Sequence, residues 1–254
     1  MTEKHNRQST IDNQQSPLTT DSLFDSRLKI VQKKKGYRFS VDAAILAHHV
    51  HLKPTDVAVD LGTGCGVIPL ILALQTPSAH IHGIEIQKDL AELASRNVQL
   101  NGMEASITIV HTDMKDLKSH LAPGTFDVVF SNPPYRETLS GRINQEEERA
   151  VARHEIKADL SDVVSVAESL LKPSGRCVVI YPAARAVDLV LRMRAFKLEP
   201  KRFRLIHPKQ DSEAILVVVE GVKHGNPGLS VSPPLTIYEP GGDYTEEARK
   251  IIGE

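Results

Sequence analysis

Cysteine, aromatic residues and long apolar runs are all scarce in this chain of 254 residues. Its two cysteines, Cys65 and Cys177, have neither C-x-x-C spacing nor a neighbouring histidine pair, so the sequence predicts no zinc site and no disulfide framework. No apolar run has the length of a membrane span, and the first ten residues lack the apolar core of a secretory signal. A cytoplasmic protein without membrane contact is therefore expected.

An excess of charge is also missing, because the formal net charge is −1. Cations nevertheless cluster in two segments, and the local sign of charge matters more than the total for a polyanionic partner. The first segment contains Lys33, Lys34, Lys35 and Arg38, and the second extends from Arg192 to Lys209. The first segment taken alone is better explained as a solvated loop or hairpin turn than as a phosphate-binding site.

The order of polar and apolar segments indicates one domain behind a polar tail. Residues 1–21 are rich in Gln, Ser, Thr and Asn without apolar periodicity, which predicts a disordered tail. Residues 22–254 show no internal repeat and no second domain. Ser40 is placed to cap a helix that follows it.

Apolar runs alternate with helical patterns along the rest of the chain. Five predicted strands lie near residues 57–61, 81–85, 106–110, 126–130 and 176–181. This alternation is typical of a doubly wound α/β fold with a parallel sheet. Two further strands, near 202–206 and 214–220, have a short connection that favours an antiparallel hairpin. A last strand near 235–238 and a capped helix after Thr245 form the expected C-terminal extension.

A glycine loop follows the first of these five strands directly. Residues 62–66 read Gly-Thr-Gly-Cys-Gly, so the spacing is G-x-G-x-G and differs from the dinucleotide fingerprint G-x-G-x-x-G. Asp60 immediately precedes the loop, where its carboxylate would repel a pyrophosphate but attract an ammonium or sulfonium group. No Walker sequence is present.

Acidic residues mark the ends of the next two strands. Glu85 lies roughly 20 residues beyond the glycines, where such folds bind ribose hydroxyls. Asp113 and Met114 follow the third strand. Each residue taken singly has a structural explanation, since Glu85 could be a solvated strand end and Asp113 a helix cap. Their positions at successive strand ends favour ligand binding, because such sheets bind ligands at that edge.

The fourth strand ends in the stretch Asn132-Pro133-Pro134-Tyr135. Two prolines cannot continue a central strand, because they lack ladder donors and fix φ, so the chain must leave the sheet in a rigid, extended turn. An amide side chain, freed carbonyl groups and an aromatic face together form a receptor for a planar group that carries an NH₂. We predict the active site here.

These motifs resemble those of a known superfamily. Val57 to Gly66 resembles the first motif of class I S-adenosylmethionine-dependent methyltransferases, and N-P-P-Y resembles their amino-methyltransferase motif. The resemblance implies a Rossmann-like fold whose seven-stranded, mostly parallel sheet has an antiparallel last strand and a short C-terminal extension. It implies S-adenosyl-L-methionine as the cofactor, and no metal. The cofactor-binding residues implied are Phe39, Asp42, Asp60, Gly62, Gly64, Gly66, Glu85, Asp113, Met114 and Asn132.

The implied chemistry is mainly positioning, because the methyl group of the cofactor is already electrophilic. The catalytic residues implied are Asn132, Pro133, Pro134 and Tyr135. Asn132 Oδ1 and the Pro133 carbonyl would accept hydrogen bonds from the two N–H groups of an exocyclic amine. The lone pair of the nitrogen would then point at the methyl group of the cofactor. Tyr135 would stack on the planar substrate, and a base in structured nucleic acid must first be unstacked.

The flanking segments bear on the substrate, which is either a purine in nucleic acid or a glutamine side chain in a protein. Glutamine methyltransferases of the release-factor type carry a sizeable helical domain before the glycine loop, and here only a short basic segment stands there. The chain from Leu23 onwards resembles the bacterial family that methylates the exocyclic N6 amine of an adenine in the anticodon loop of valine tRNA. Residues 36–43, 131–135 and 152–155 carry this resemblance.

The resemblance implies tRNA as the partner. The two basic segments suit its phosphate backbone, and a monomer is expected. Three alternatives remain at this point: an rRNA guanine-N2 methyltransferase, a protein glutamine-N5 methyltransferase and a non-catalytic RNA-binding protein. The long loop 142–155 could close over the substrate. Arg153 and His154 in this loop would either contact RNA or brace the loop through an Arg–Glu pair.

Overall fold

Parallel strands flanked by helices form the centre of the protein, in a computed structural model that describes residues 18–34, 40–133 and 159–253. The strands are β1 (Leu18–Leu23), β2 (Leu28–Lys33), β3 (Val57–Leu61), β4 (His80–Glu85), β5 (Ile107–His111), β6 (Phe126–Ser131), β7 (Leu171–Pro182), β8 (Leu198–His207), β9 (Leu216–Lys223), β10 (Ser230–Val231) and β11 (Leu235–Thr236). The helices are α1 (Val41–His49), α2 (Val67–Gln75), α3 (Lys88–Leu100), α4 (Leu160–Leu170), α5 (Ala186–Ala195) and α6 (Glu246–Ile252), with short 3₁₀ turns at Met114–Ser119 and Ala183–Arg185.

The main sheet has the strand order β10-β8-β9-β7-β6-β3-β4-β5, and β11 also pairs with β8. Strands β3 to β7 pair in parallel, whereas β9 is antiparallel to both β7 and β8. The predicted Rossmann-like α/β class, with a mostly parallel sheet and an antiparallel strand near its end, is confirmed. The predicted count of seven strands is corrected to nine in the described residues. Strand β10 was not expected, because two residues are too few to show a period, and β11 was expected only as a strand of the C-terminal extension.

Helices cover both faces of this sheet. Helices α1, α2 and α6 share one apolar cluster with the first face, and α4 and α5 share a second cluster with the other. Helix α2 is buried from Val67 to Ala73, which explains its nearly continuous apolar sequence. Helix α4 begins with a capping box, in which Asp159 and Asp162 each accept a hydrogen bond from the other's backbone N–H.

An antiparallel hairpin of β1 and β2 forms a separate, two-stranded sheet. The prediction of a disordered tail over residues 1–21 is therefore wrong for residues 18–21, which lie in β1; residues 1–17 lie outside the described part of the chain. The connecting turn contains three consecutive non-glycine residues with left-handed φ: Phe24 (53°), Asp25 (52°) and Ser26 (64°). Because this turn lacks glycine and proline, the sequence carries no ordinary hairpin signal.

The C-terminal extension packs against the first face of the sheet, next to α1. Helix α6 is capped by the Thr245 hydroxyl, which accepts a hydrogen bond from the Ala248 N–H at 3.1 Å, and it buries Ile251. The predicted final strand and capped helix are thus confirmed. Among the described residues, no helix combines the length and the apolar character that crossing a membrane would require.

Candidate active site

The glycine loop connects the carboxyl end of β3 to α2. Gly62, Gly64 and Gly66 have φ angles of 82°, 59° and 84°, in the left-handed region that side chains disfavour. A Cβ atom on Gly66 would also lie 3.3 Å from the Ala94 Cβ atom, a tight contact that α3 could relieve only by shifting. The loop is fixed to the next strand because the Gly62 and Thr63 N–H groups both donate to the Ile84 carbonyl, at 3.0 and 2.9 Å.

A buried carboxylate that has no hydrogen-bond partner within the described part of the chain lies immediately before this loop. Asp60 is fully buried, and neither of its side-chain oxygens has a partner among the described residues. The buried hydroxyl of Thr63 also lacks one. Burial raises the pKa of the Asp60 carboxyl to about 7; the nearby Thr63 hydroxyl lowers it and the Glu85 carboxylate raises it further. Such an arrangement would be completed by a polar or cationic ligand.

Glu85 ends β4 beside the glycine loop and is 5% exposed. One of its oxygens accepts a hydrogen bond from the Gly64 N–H at 2.9 Å, and the other from the Gln87 N–H at 2.8 Å. Burial raises the pKa of Glu85, and these backbone donors oppose the rise. Glu85 therefore holds the loop in place, while the remaining lone pairs of its oxygens can still accept bonds from hydroxyl groups.

Asp113 and Met114 follow β5 at the same edge of the sheet. One Asp113 oxygen accepts a hydrogen bond from the Lys115 N–H at 2.9 Å, so Asp113 is the cap of the 3₁₀ turn that begins at Met114. The helix-cap explanation of Asp113 is therefore correct, and its second oxygen stays available for a ligand. Met114 is partly buried against the apolar cluster of β3, β6 and α4.

Asn132 stands at the end of β6, where Ser131 joins this strand to β3 through a 2.7 Å hydrogen bond from its hydroxyl to the Leu61 carbonyl. The Asn132 amide nitrogen donates to Asp42 Oδ2 at 3.0 Å, across 90 positions of sequence. The other Asp42 oxygen accepts from the Ala43 N–H at 3.0 Å and from the Ser40 hydroxyl. Since Nδ2 faces a carboxylate, the Asn132 Oδ1 atom is directed away from Asp42 and can accept from a substrate.

The structure thus collects most of the predicted site residues at the carboxyl ends of neighbouring strands. Pro133 is buried beside Asn132. Several predicted residues lie outside the described part of the chain: Lys35, Arg38, Phe39, Pro134, Tyr135, Arg153 and His154. No group of histidine, cysteine, aspartate or glutamate suited to a metal ion occurs among residues 18–34, 40–133 and 159–253.

Asn97 in α3 is a residue that the sequence analysis missed. It is fully buried, and its side chain reaches both β2 and the glycine loop. A signal was present, because Asn97 follows Leu90 and Leu93 at helical spacing and so lies on the apolar face of the helix. A polar residue on such a face needs hydrogen-bond partners inside the protein.

The two basic segments present fewer free cations than their sequences suggest, because several of their side chains are paired with carboxylates. Lys33 pairs with Asp89, Arg194 with Glu199, Arg202 with Glu220, and Arg204 with Glu247. Exposed members for which the described residues show no ion pair are Lys34, Arg192, Lys197 and Lys209. Lys209 follows the carboxyl end of β8, which lies at the same edge of the sheet as Asn132.

Comparison with known proteins gives one family match. Residues 52–220 match the family described as a methyltransferase domain, and this range contains β3 to β9 almost completely. A tRNA1(Val) (adenine(37)-N6)-methyltransferase of Porphyromonas gingivalis (strain ATCC 33277) is 31% identical over 207 residues, which are 78% of this chain and 80% of that protein.

Solved structures share the fold at low sequence identity. A predicted O-methyltransferase from Agrobacterium tumefaciens superposes with a TM-score of 0.66 at 20% identity, over 82% of this chain and 94% of that one. A geranyl diphosphate C-methyltransferase from Streptomyces coelicolor A3(2), in complex with Mg²⁺, geranyl-S-thiolodiphosphate and S-adenosyl-L-homocysteine, gives a TM-score of 0.54 at 15% identity, with coverages of 72% and 75%.

Proposed function

Since the chain belongs to the tRNA1(Val) (adenine(37)-N6)-methyltransferase family, we propose that it methylates the exocyclic N6 amine of an adenine in the anticodon loop of this tRNA. The observation that carries this proposal is the Asn132 amide, which is anchored by Asp42 next to the glycine loop. S-adenosyl-L-methionine is the cofactor and supplies an electrophilic methyl group. We also propose that the chain from β1 onwards, instead of from residue 22, forms one domain that acts as a monomer in the cytoplasm.

The residues at the sheet edge fit this cofactor. Asp60 offers an unpartnered carboxylate to a ligand that carries an ammonium and a sulfonium group, and the glycines allow a close approach of the backbone. Glu85 and Asp113 each keep acceptor capacity for hydroxyl and amino groups. We assign cofactor binding to Asp42, Asp60, Gly62, Gly64, Gly66, Glu85, Asp113, Met114 and Asn132, together with Phe39.

Asn132 and Pro133 perform the positioning step. The Asn132 Oδ1 atom and the Pro133 carbonyl accept hydrogen bonds from the two N–H groups of the substrate amine, so that the lone pair of its nitrogen is held in a fixed direction. Asp42 makes this possible because it accepts from Asn132 Nδ2 and thereby fixes which end of the amide faces the substrate. As the amine gains positive charge, both acceptors stabilise it without a strong base.

The base must leave its stack before it can reach these acceptors. We assign the stacking face to Tyr135, and Pro134 to the rigid turn that presents it. We further propose that the RNA backbone lies along the two basic segments, at Lys33, Lys34, Lys35, Arg38 and the stretch from Arg192 to Lys209. The members that show no ion pair within the described residues, above all Lys209 at the active-site edge, are the best placed to contact phosphates.

The test is incubation of the protein with radiolabelled cofactor and bulk tRNA from a strain that lacks the enzyme, followed by nucleoside analysis. Label in N6-methyladenosine is expected. Replacement of Asn132 by Ala should lower the rate of transfer by about 10²–10³, as for loss of a hydrogen bond made in a transition state. The matched control is Asn226→Ala, an exposed asparagine in the loop that follows β9, at the opposite edge of the sheet.

Each other outcome identifies a competing function. In parallel incubations with bulk rRNA and with a release-factor peptide, label in N2-methylguanosine of rRNA would replace the proposal by an rRNA guanine methyltransferase, and label in the peptide would replace it by protein methylation. RNA binding without label in any substrate, together with full biological activity of the Asn132→Ala protein, would indicate a non-catalytic RNA-binding protein.

A further inference from the structure

Among the contacts between helix α3 and the N-terminal hairpin is a fully buried amide, that of Asn97. The Asn97 side chain is 0% exposed and forms three hydrogen bonds to backbone groups. Its Oδ1 atom accepts from the Val31 N–H at 2.8 Å, and its Nδ2 atom donates to the Val31 carbonyl at 2.9 Å. The hairpin is not part of the main sheet, so the Asn97 amide pairs with the Val31 backbone groups as a neighbouring strand would.

The same amide also reaches the glycine loop. The second hydrogen of Asn97 Nδ2 is directed to the Cys65 carbonyl at 2.9 Å, one residue before Gly66 and α2. Both N–H bonds of the amide are therefore used, one on the hairpin and one on the loop. A rotation of the side chain that breaks the contacts with Val31 also moves the donor away from Cys65.

One helical turn further on, Asn101 provides an internal comparison. Its side chain accepts from the Lys29 N–H at 2.9 Å and donates to the Lys29 carbonyl at 2.8 Å, so it holds the same strand in the same way. Its other contact is the Asn97 carbonyl within the helix, at 2.7 Å, and it is partly exposed. Asn101 therefore binds the hairpin without a hydrogen bond to the glycine loop.

We propose that Asn97 is a positioning residue that couples the N-terminal hairpin to cofactor binding. When the hairpin is seated, Val31 fixes the Asn97 amide in the orientation that holds the Cys65 carbonyl, and with it the left-handed turn at Gly66. When the hairpin leaves, the amide loses two of its three partners and the loop loses a constraint. Each of the two events, hairpin seating and cofactor binding, consequently favours the other.

This inference rests on the assignment of the glycine loop to the cofactor under the proposed function, and it does not depend on the RNA substrate. S-adenosyl-L-homocysteine, the demethylated cofactor, is therefore a suitable probe, and no RNA is needed. If this probe fails to bind the wild-type protein, the cofactor assignment of the loop is wrong. If it binds without the coupling described next, only the role of Asn97 is wrong.

The first measurement is calorimetric titration of S-adenosyl-L-homocysteine into the wild-type, Asn97→Asp and Asn101→Ala proteins, well below their unfolding temperatures. Asn97→Asp keeps the size and the acceptor for Val31 but loses both donors, so its dissociation constant should rise by about tenfold. Asn101→Ala loosens the hairpin at Lys29 and should change the constant by less than about threefold. Equal effects of the two substitutions would overturn the proposal, because Asn97 would then act only through general stability.

The second measurement is amide hydrogen exchange at Val31 with and without the probe. Binding should slow the exchange of Val31 in the wild-type and Asn101→Ala proteins, since a fixed loop stabilises the seated hairpin. In Asn97→Asp the glycine loop should still respond to the probe, whereas Val31 should not. The wild-type experiment needs no substitution, so it decides the question even if Asn97→Asp does not fold: an unchanged Val31 rate at saturating probe overturns the proposal.

Discussion

Asp60 is buried at the end of β3 with neither side-chain oxygen hydrogen-bonded within the described residues. Its sequence position next to the glycines predicts contact with a cationic ligand, but the sequence does not reveal that the carboxylate lacks a partner inside the protein. That depends on packing from distant elements, as does the contact of Asn132 with Asp42 across 90 positions. Residue types at the site were therefore predictable, and their pairing was not.

An Asp60→Asn substitution should raise the stability of the cofactor-free protein. Burial raises the pKa of Asp60 from 3.8 to about 7 in the folded state, so the folded form binds the proton more tightly than the unfolded form between these values. The carboxyl therefore destabilises the protein progressively as pH rises from about 4 to about 7, and fully above that. The gain should be on the order of 2 kcal/mol at pH 8 and smaller at pH 5.

Thermal unfolding of both proteins at the two pH values measures this gain. The same substitution removes the negative charge offered to the cofactor, so the affinity for S-adenosyl-L-homocysteine should fall although the protein is more stable. A less stable Asp60→Asn protein at pH 8 would show that the carboxylate already has a favourable partner.

At the scale of elements, the core strands β3 to β7 and helices α2 to α4 were predictable because each shows a clear apolar run or a helical repeat of apolar positions. The hairpin of β1 and β2 was not, since its turn uses Phe24, Asp25 and Ser26 in left-handed conformations without glycine. The sequence also does not show that position 83 of β4, beside the glycine loop, has no space for a side chain. A Cβ atom on Gly83 would lie 2.8 Å from Ile109 Cδ1 and 3.0 Å from the Thr63 hydroxyl oxygen.

Replacement of Gly83 by Ala should therefore disturb the loop from outside the cofactor site. The Ile109 methyl group can move, but Thr63 belongs to the glycine loop, whose backbone is bonded to Ile84. We expect a loss of about 1–3 kcal/mol in unfolding free energy and weaker binding of S-adenosyl-L-homocysteine. Gly241→Ala is the control, because a Cβ atom at that position would meet no side chain or backbone of another segment within 4 Å. Unchanged affinity in Gly83→Ala would mean that Thr63 adapts without moving the loop.

At the scale of the whole molecule, Arg204 joins three parts of the fold. From β8 it donates to the Pro233 carbonyl at 2.9 Å, to Glu247 of α6 at 2.7 Å and towards His49 Nε2 of α1 at 3.4 Å. Burial lowers the pKa of His49 to about 4, so the ring is neutral and can accept this bond. The sequence indicated only a basic segment, because the partners lie in elements far apart along the chain.

Arg204→Lys should destabilise the protein although the charge is kept. A lysine has no planar fork that reaches three partners at once, so about 1–3 kcal/mol of unfolding free energy should be lost. Arg202→Ala, two residues earlier on the same strand, is the matched control. The Arg202 side chain is 63% exposed, and its Nε atom lies 3.7 Å from a Glu220 oxygen, which is too far for a hydrogen bond. Chemical denaturation should show a change below about 0.5 kcal/mol for this control. An unchanged stability of Arg204→Lys would show that the positive charge alone suffices at this position.

The separate hairpin has a consequence for how such a protein can diversify. Because β1 and β2 pair only with each other in the described chain and are held by side chains of α3, their outward-facing residues can change without altering the register of the main sheet. The backbone groups of Val31 and Lys29 are available in any residue type except proline. Evolution can therefore exchange the outward surface of the hairpin while Asn97 and Asn101 of α3, and the active site at the sheet edge, stay constant.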